Sequence, residues 1–325
     1  MAGPTTQPGG GKSVLRLLQT EQGVLKWSIA TTLVVALFGI IFGLVSGSFS
    51  IVFDGFYSLI DAAMSGVALV VTTLIRRYTT DSTTSRRLAE RFNMGFWHLE
   101  PMVLALNGIL LCGVILYALV SAVMTVLGGG QSLEFGYALV YALLASVVCF
   151  SSAWITCKAN APLRSDFLAL DTKAWLMSGS ISSALLIAFT LGAAVEGTNW
   201  QWLGPYIDPF VLVVICSCLL PMPFLTVRNA YLEILMATPP TLREHVDAVA
   251  GQVVADQQFV DFAAYVAKVG RAQQIELHFI VPPELPARTL QSWDALRNDI
   301  ADALGEASPN RWLTINFTTD RDWAH

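Results

Sequence analysis

The chain has 325 residues, of which 54% are hydrophobic and only 13% charged, about half the charged share of a soluble domain. With a mean hydropathy of +0.57, this composition excludes an ordinary soluble globular protein and points to an integral membrane protein. The formal net charge of −5 says little, because the two halves differ in character, but the C-terminal part has too few basic residues for a nucleic-acid surface.

The chain opens with "MAGPTTQPGGGKS", rich in Gly, Pro and Thr, and residues 1–24 are expected to form a flexible tail. This stretch lacks the charged, apolar and cleavage regions of a signal peptide, so the first apolar run is expected to be a retained anchor. Six apolar runs follow, near 25–46, 51–75, 99–126, 136–157, 170–195 and 204–226, each long enough for a span of about 20 residues. Lys12, Arg16 and Lys26 flank the first run. Arg76, Arg77, Arg86, Arg87 and Arg91 lie between the second and third, Lys158 and Arg164 between the fourth and fifth, and Arg228 after the sixth. The other three loops, "GSFS", "LGGGQSLEFG" and "EGTNWQWLG", carry no Lys or Arg. The positive-inside rule therefore puts both termini in the cytoplasm. Multi-pass insertion in a plasma membrane, of the bacterial inner-membrane kind, follows as the expected location, with lipid around the bundle. Trp97, Trp200, Trp202 and Tyr206 read as interface anchors.

Five cysteines fall in or beside apolar runs with no CxxC pair, which argues for buried thiols and against a disulfide framework. From about Pro239 the chain turns soluble in character. "PPTLREHVDAVAGQVVADQ" reads as a helix, with Thr241 and Glu244 in capping-box spacing. "FVDFAAYVAKVG" reads as a strand. "QIELHFIV" and "WLTINFTT" alternate as half-buried strands, with Ile275, Leu277, Phe279, Leu313, Ile315 and Phe317 inward. "TLQSWDALRNDIADALGE" reads as a second helix. The expected fold class is an all-α six-helix transmembrane bundle over 25–230 plus a small cytoplasmic α+β domain over 238–325.

The second run contains "FDGFYSLIDAAMSG". Asp54, Tyr57 and Asp61 fall at i, i+3 and i+7 and share one helix face; Asp171, Ala174 and Ser178 do the same in the fifth run. A carboxylate in hydrocarbon costs about 2.5–3.5 kcal/mol on insertion scales and marks an ion path by default. An oxygen-rich patch between two such faces suits a divalent cation.

These stretches resemble the cation diffusion facilitators, six-span metal/proton antiporters with a cytoplasmic ferredoxin-like domain. "FDGFYSLIDAAMSG" is similar to the family's second-span motif. "FNMGFWHLEPMVLALNG" resembles the start of its third span, with Gly95 five residues before Glu100, and "YIDPFVLVVI" its sixth-span Asp-Pro at Asp208 and Pro209. The resemblance implies a transport site with two ligands on each of the second and fifth spans, which fall here on Tyr57, Asp61, Ala174 and Ser178. Alanine cannot bind metal, so Asp171, one turn away, is the candidate replacement. Oxygens without imidazole disfavour zinc and suit Fe²⁺, Mn²⁺, Co²⁺ or Mg²⁺. The resemblance also implies a homodimer through the cytoplasmic domain and exchange of the metal for protons. In the cytoplasmic domain His278 matches one metal-binding position, while Asn316 stands where a second His is expected.

Each candidate has a plainer reading. Asp61 is an ion ligand or a carboxylate bonded to neighbouring groups; Asp54 is a site group or a residue at the external mouth. Tyr57 is a ligand or an aromatic packed between helices. Asp171 is a site group or a carboxylate at the cytoplasmic edge, and Ser178 a ligand or a small packing residue. Glu100 and His98 are candidates for a gate or access path, and equally a helix-start carboxylate and its neighbour. His278 is a surface residue or a cytoplasmic metal ligand. The expected function is export of a divalent cation, with no cofactor beyond the cargo. The alternatives are an exporter of a different cation, or a scaffold that keeps the fold without transport. No HExxH motif or Ser/His pair supports an enzyme.

Overall fold

The computed structural model describes residues 21–80, 96–163, 166–270, 272–305 and 310–324. Lys12, Arg16, Arg86, Arg87, Arg91, Gly95 and Arg164 lie outside them, as do the side chains of Arg76 and Arg77. The helices are α1 (Glu21–Ser46), α2 (Phe49–Thr80), α3 (Leu99–Leu127), α4 (Phe135–Leu163), α5 (Asp166–Val195), α6 (Gly204–Leu219) and α7 (Pro221–Ile234). Then come α8 (Pro240–Gln257), β1 (Asp261–Val269), β2 (Ala272–Ile280), α9 (Leu290–Ala303) and β3 (Arg311–Thr318). Among the described residues, six segments are long and apolar enough to cross a membrane: Gly23–Ser46, Phe49–Ile75, Leu99–Leu127, Phe135–Pro162, Asp171–Val195 and Gln201–Ile234. The chain is a multi-pass integral membrane protein whose six long apolar helical segments form a bundle, followed by a mixed α/β region. The sixth segment outruns its expected end at 226. Pro221 opens α7, a position where its missing N–H costs little.

Contacts divide the chain into two compact units, Met1–Gly66 with Asn107–Phe224, and Val67–Leu106 with Leu225–His325. In the first unit, one cluster joins Ile51 of α2, Tyr141 and Ala145 of α4, and Leu185 and Phe189 of α5. Another joins Phe53 of α2, Ile115 and Ala122 of α3, and Leu212 and Cys216 of α6. Small residues let the backbones approach, as they do in membrane helices generally. A Cβ on Gly55 of α2 would lie 2.8 Å from both the Ala36 carbonyl oxygen and the Ile40 nitrogen of α1.

The α1–α2 corner is closed by an acid from α6. Asp208, 2% exposed, accepts from Ser48 Oγ at 2.6 Å and from the Phe49 N–H at 2.9 Å, so its carboxylate caps α2. Ser48 Oγ in turn accepts the Ile51 N–H at 3.2 Å, and Ser50 Oγ donates to the Asp208 carbonyl at 3.0 Å. A carboxylate at a helix N-terminus meets both the orphan N–H groups and the dipole. The adjacent Pro209 has no N–H to offer Pro205 one turn back, and the Pro205 carbonyl accepts from the Gln131 N–H at 2.9 Å instead.

In the second unit the sheet order is β1-β2-β3, with β1 and β2 antiparallel and β2 and β3 parallel. Ile275, Leu277 and Phe279 of β2 and Ile315 of β3 face a core completed by Val246 and Ala250 of α8 and Ile300 of α9. The alternation read from the strands is the burial observed. Two local expectations fail. The capping box at Thr241 does not form: α8 begins at Pro240 after Pro239, with no side-chain cap, which puts Thr241 inside the first turn. Thr289 is a true cap on α9, its Oγ1 accepting the Ser292 N–H at 3.3 Å. The cysteines are free, but only Cys149 and Cys216 are buried; Cys157 and Cys218 sit exposed on α4 and α6.

Candidate functional site

A cavity of about 260 Å³ lies within the first unit. Its wall on α2 is formed by Asp54, Tyr57, Ser58, Asp61, Ala62 and Ser65, the i, i+3, i+4, i+7 stripe of a single helix face. The α5 wall carries Asp171, Ala174, Trp175 and Ser178 in the same spacing. α1 adds Ser28 and Thr32. The two polar faces read from the sequence therefore do line one space, and α1 supplies a third wall that periodicity within α2 and α5 cannot reveal.

Each cavity carboxylate is held by a neutral donor. Asp54, 8% exposed, accepts from the Tyr141 hydroxyl at 2.9 Å. Asp61 is hydrogen-bonded by the side chain of Asn107 on α3, whose own Oδ1 is buried without a partner. Asp171 Oδ1 accepts from Ser28 Oγ at 2.8 Å, and Ser28 Oγ accepts from Trp175 Nε1 at 2.8 Å. Asp171 Oδ2 is buried and makes no hydrogen bond. Asp61 and Asp171 line the same cavity from facing helices. Among the described residues no Lys, Arg or His lines the cavity. Three carboxylates thus line one space with hydrogen-bond donors behind them and, among the described residues, no basic side chain beside them.

The remaining candidates are placed as follows. Tyr57 lines the cavity and also packs against Phe53, with ring centroids 5.9 Å apart. Ser178 lines it and accepts a weak bond from Cys149 Sγ at 3.6 Å. Ala174 adds no donor atom, but Asp171 stands on the same wall. Glu100 is not in the cavity wall. Its Oε2 would lie 3.0 Å from a Cβ on Gly270, in the β1–β2 turn of the second unit. His98 is exposed at the start of α3. His278 pairs across the sheet with Ala263 and Asn316 and packs edge-on against Tyr265, so no second imidazole stands beside it in register. Among the described residues no three His, Cys, Asp or Glu side chains gather as a metal-holding group.

Four contributors went unread in the sequence: Ser28, Asn107, Tyr141 and Trp175. The available signal was a polar group inside an apolar run, as in "LALNGILL" around Asn107. Tyr141 and Trp175 gave none, because aromatic residues are ordinary in such runs.

No curated protein matches the chain. The family profile of the cation efflux transmembrane domain matches residues 25–235, well over half of the 325 residues. The profile covers all six spans and both cavity-lining faces, so the chain belongs to the cation efflux family, which implies a cation exporter and not an enzyme.

Proposed function

We propose that the protein exports a divalent metal cation from the cytoplasm in exchange for protons, with Asp61 as the central carboxylate. Asp171 and Asp54 assist it, and Tyr57 and Ser178 add neutral oxygens. The observation that carries this reading is the cavity itself, with three carboxylates and, among the described residues, no basic one on its wall. Unbalanced charge of one sign in a low-dielectric setting favours a cation over any neutral or anionic cargo. A wall whose described side chains offer oxygens and neither imidazole nor thiolate favours a hard or borderline ion of the Fe²⁺, Mn²⁺, Co²⁺ or Mg²⁺ kind over zinc. The carboxylates do not form a tight three-acid cluster, and about 260 Å³ compares with about 30 Å³ per water. The ion is therefore held by one or two carboxylates at a time and keeps part of its water. The same carboxylates accept protons on the return step, and access alternates by rocking of helix groups around the site.

The loop charges support cytoplasmic termini. On that orientation residues 25–230 carry the ion path, and residues 238–325 form a cytoplasmic domain through which two copies pair. The scaffold reading needs an empty fifth-span corner beside Ala174, and Asp171 with Ser28 at that wall weighs against it. The test is flux into sealed proteoliposomes of Fe²⁺, Mn²⁺, Co²⁺, Zn²⁺ and Cd²⁺ under an imposed pH gradient, native protein against Asp61→Ala. Flux of one or two ions, lost in the variant, supports the proposal. No flux of any ion, or flux indifferent to Asp61, sinks it.

A further inference from the structure

The direction of the hydrogen-bond chain at Asp171 is fixed by chemistry. An indole N–H can only donate, so Ser28 Oγ must be the acceptor in the 2.8 Å contact with Trp175 Nε1. An ionised carboxylate can only accept, so the serine gives its own proton to Asp171 Oδ1, also at 2.8 Å. Donating while accepting polarises the hydroxyl and strengthens the second bond. Ser28 is 2% exposed and Trp175 5%, so neither bond competes with bulk water. Trp175 and Asp171 stand one turn apart on α5, and Ser28 reaches them from α1. The carboxylate is thus pinned through one oxygen by two helices, its Oδ2 is buried with no hydrogen bond among the described residues, and the residue lines the cavity. An unpartnered carboxylate oxygen is costly to keep, and a cation in the cavity is the partner that offsets the cost.

We infer that Ser28 and Trp175 are positioning residues that hold Asp171 with Oδ2 turned to the cargo, making Asp171 the fifth-span cation-contact group in place of Ala174. This rests on the cation-export reading above and goes beyond it, because it assigns a working role in the site to the first span. It also predicts that the contributions of the two residues run entirely through Asp171.

The test is Mn²⁺ binding to the purified full-length protein in detergent, read by the loss of the free-ion electron paramagnetic resonance signal, with Co²⁺ titrated in parallel. Asp171→Asn removes the charge and keeps the shape. Ser28→Ala and Trp175→Phe each remove one donor and keep the packing, and Ser28→Thr restores a hydroxyl. Groups that orient metal ligands contribute about 10- to 100-fold in affinity. The expectation is therefore a Kd raised about tenfold by Ser28→Ala and by Trp175→Phe, and more by Asp171→Asn, with Ser28→Thr near the native value. In the Asp171→Asn background, Ser28→Ala should change the Kd less than about twofold, because the ligand it positions is gone. A full Ser28→Ala effect in that background would overturn the inference, since the serine would then act on the fold and not on Asp171. So would a native Kd in Ser28→Ala. If the native protein binds neither ion, the cation-site reading itself falls and takes this inference with it. That outcome is distinct from native binding that ignores Ser28.

Discussion

Four carboxylates lie within the membrane-spanning segments in the first unit, and the structure assigns one of them to architecture. Asp208 belongs to the sixth-span motif, yet it caps α2 and does not line the cavity. Replacing it with alanine removes two charge-assisted hydrogen bonds, from Ser48 Oγ at 2.6 Å and the Phe49 N–H at 2.9 Å. Each is worth about 1.5–3 kcal/mol in general terms. Interhelical bonds in membranes fall at the low end of such ranges, so the expected loss is about 3 kcal/mol. Asp208→Asn keeps one acceptor oxygen and should lose about half as much. The assay pairs stability of the detergent-solubilised protein, measured by thermal unfolding, with cation flux per folded molecule in proteoliposomes. A destabilised Asp208→Ala whose folded fraction keeps its KM within about twofold is the expected result, and Ser48→Ala should show a smaller loss of the same kind. A variant as stable as the native protein, or one that folds normally but no longer transports, would refute the assignment of Asp208 to the cap.

Two further substitutions test the packing that carries the site. Tyr141→Phe leaves a buried ring among Ile51, Leu185 and Phe189 but takes the donor from Asp54, and should cost about 1–2 kcal/mol of stability by thermal unfolding while altering cation KM. An unchanged KM would place Asp54 outside the ion path. Gly55→Ala puts a methyl group 2.8 Å from the Ala36 carbonyl oxygen, a backbone atom that cannot rotate away, and should destabilise by about 1–3 kcal/mol. Gly66→Ala, with nothing within 4 Å of its Cβ, is the control and should be near neutral.

What the sequence made legible follows from the range of each interaction. Six apolar runs and the two polar faces are set by spacing along single helices, and periodicity reports them directly. Asp54, Tyr57 and Asp61 line one wall because three and seven residues return to the same face, whatever packs opposite. The strands of the C-terminal region were readable for the same reason, since inward Ile275, Leu277 and Phe279 alternate with outward Glu276 and His278. The capping box at Thr241 failed because a neighbouring proline at 240 is a stronger local signal for the first helical turn than the Thr–Glu spacing.

The partners of the carboxylates belong to a different level. Asp171 is reached by a serine 143 residues away, Asp54 by a tyrosine 87 residues away, and Asp208 by a serine 160 residues away. No window along the chain contains such pairs, and only interhelical packing creates them. Yet these partners decide which acid does what. By composition and depth alone Asp54, Asp61, Asp171 and Asp208 are each a carboxylate in or at the edge of an apolar run, and spacing does not show what holds each one. Asp208 has a donor from the head of α2 on each oxygen and stands outside the cavity lining. Asp171 lines the cavity with one oxygen occupied and the other buried without a hydrogen bond among the described residues. On the proposed reading, what separates the structural Asp208 from the cation-contacting Asp171 is which of their oxygens protein donors already hold, and that arises from helix packing.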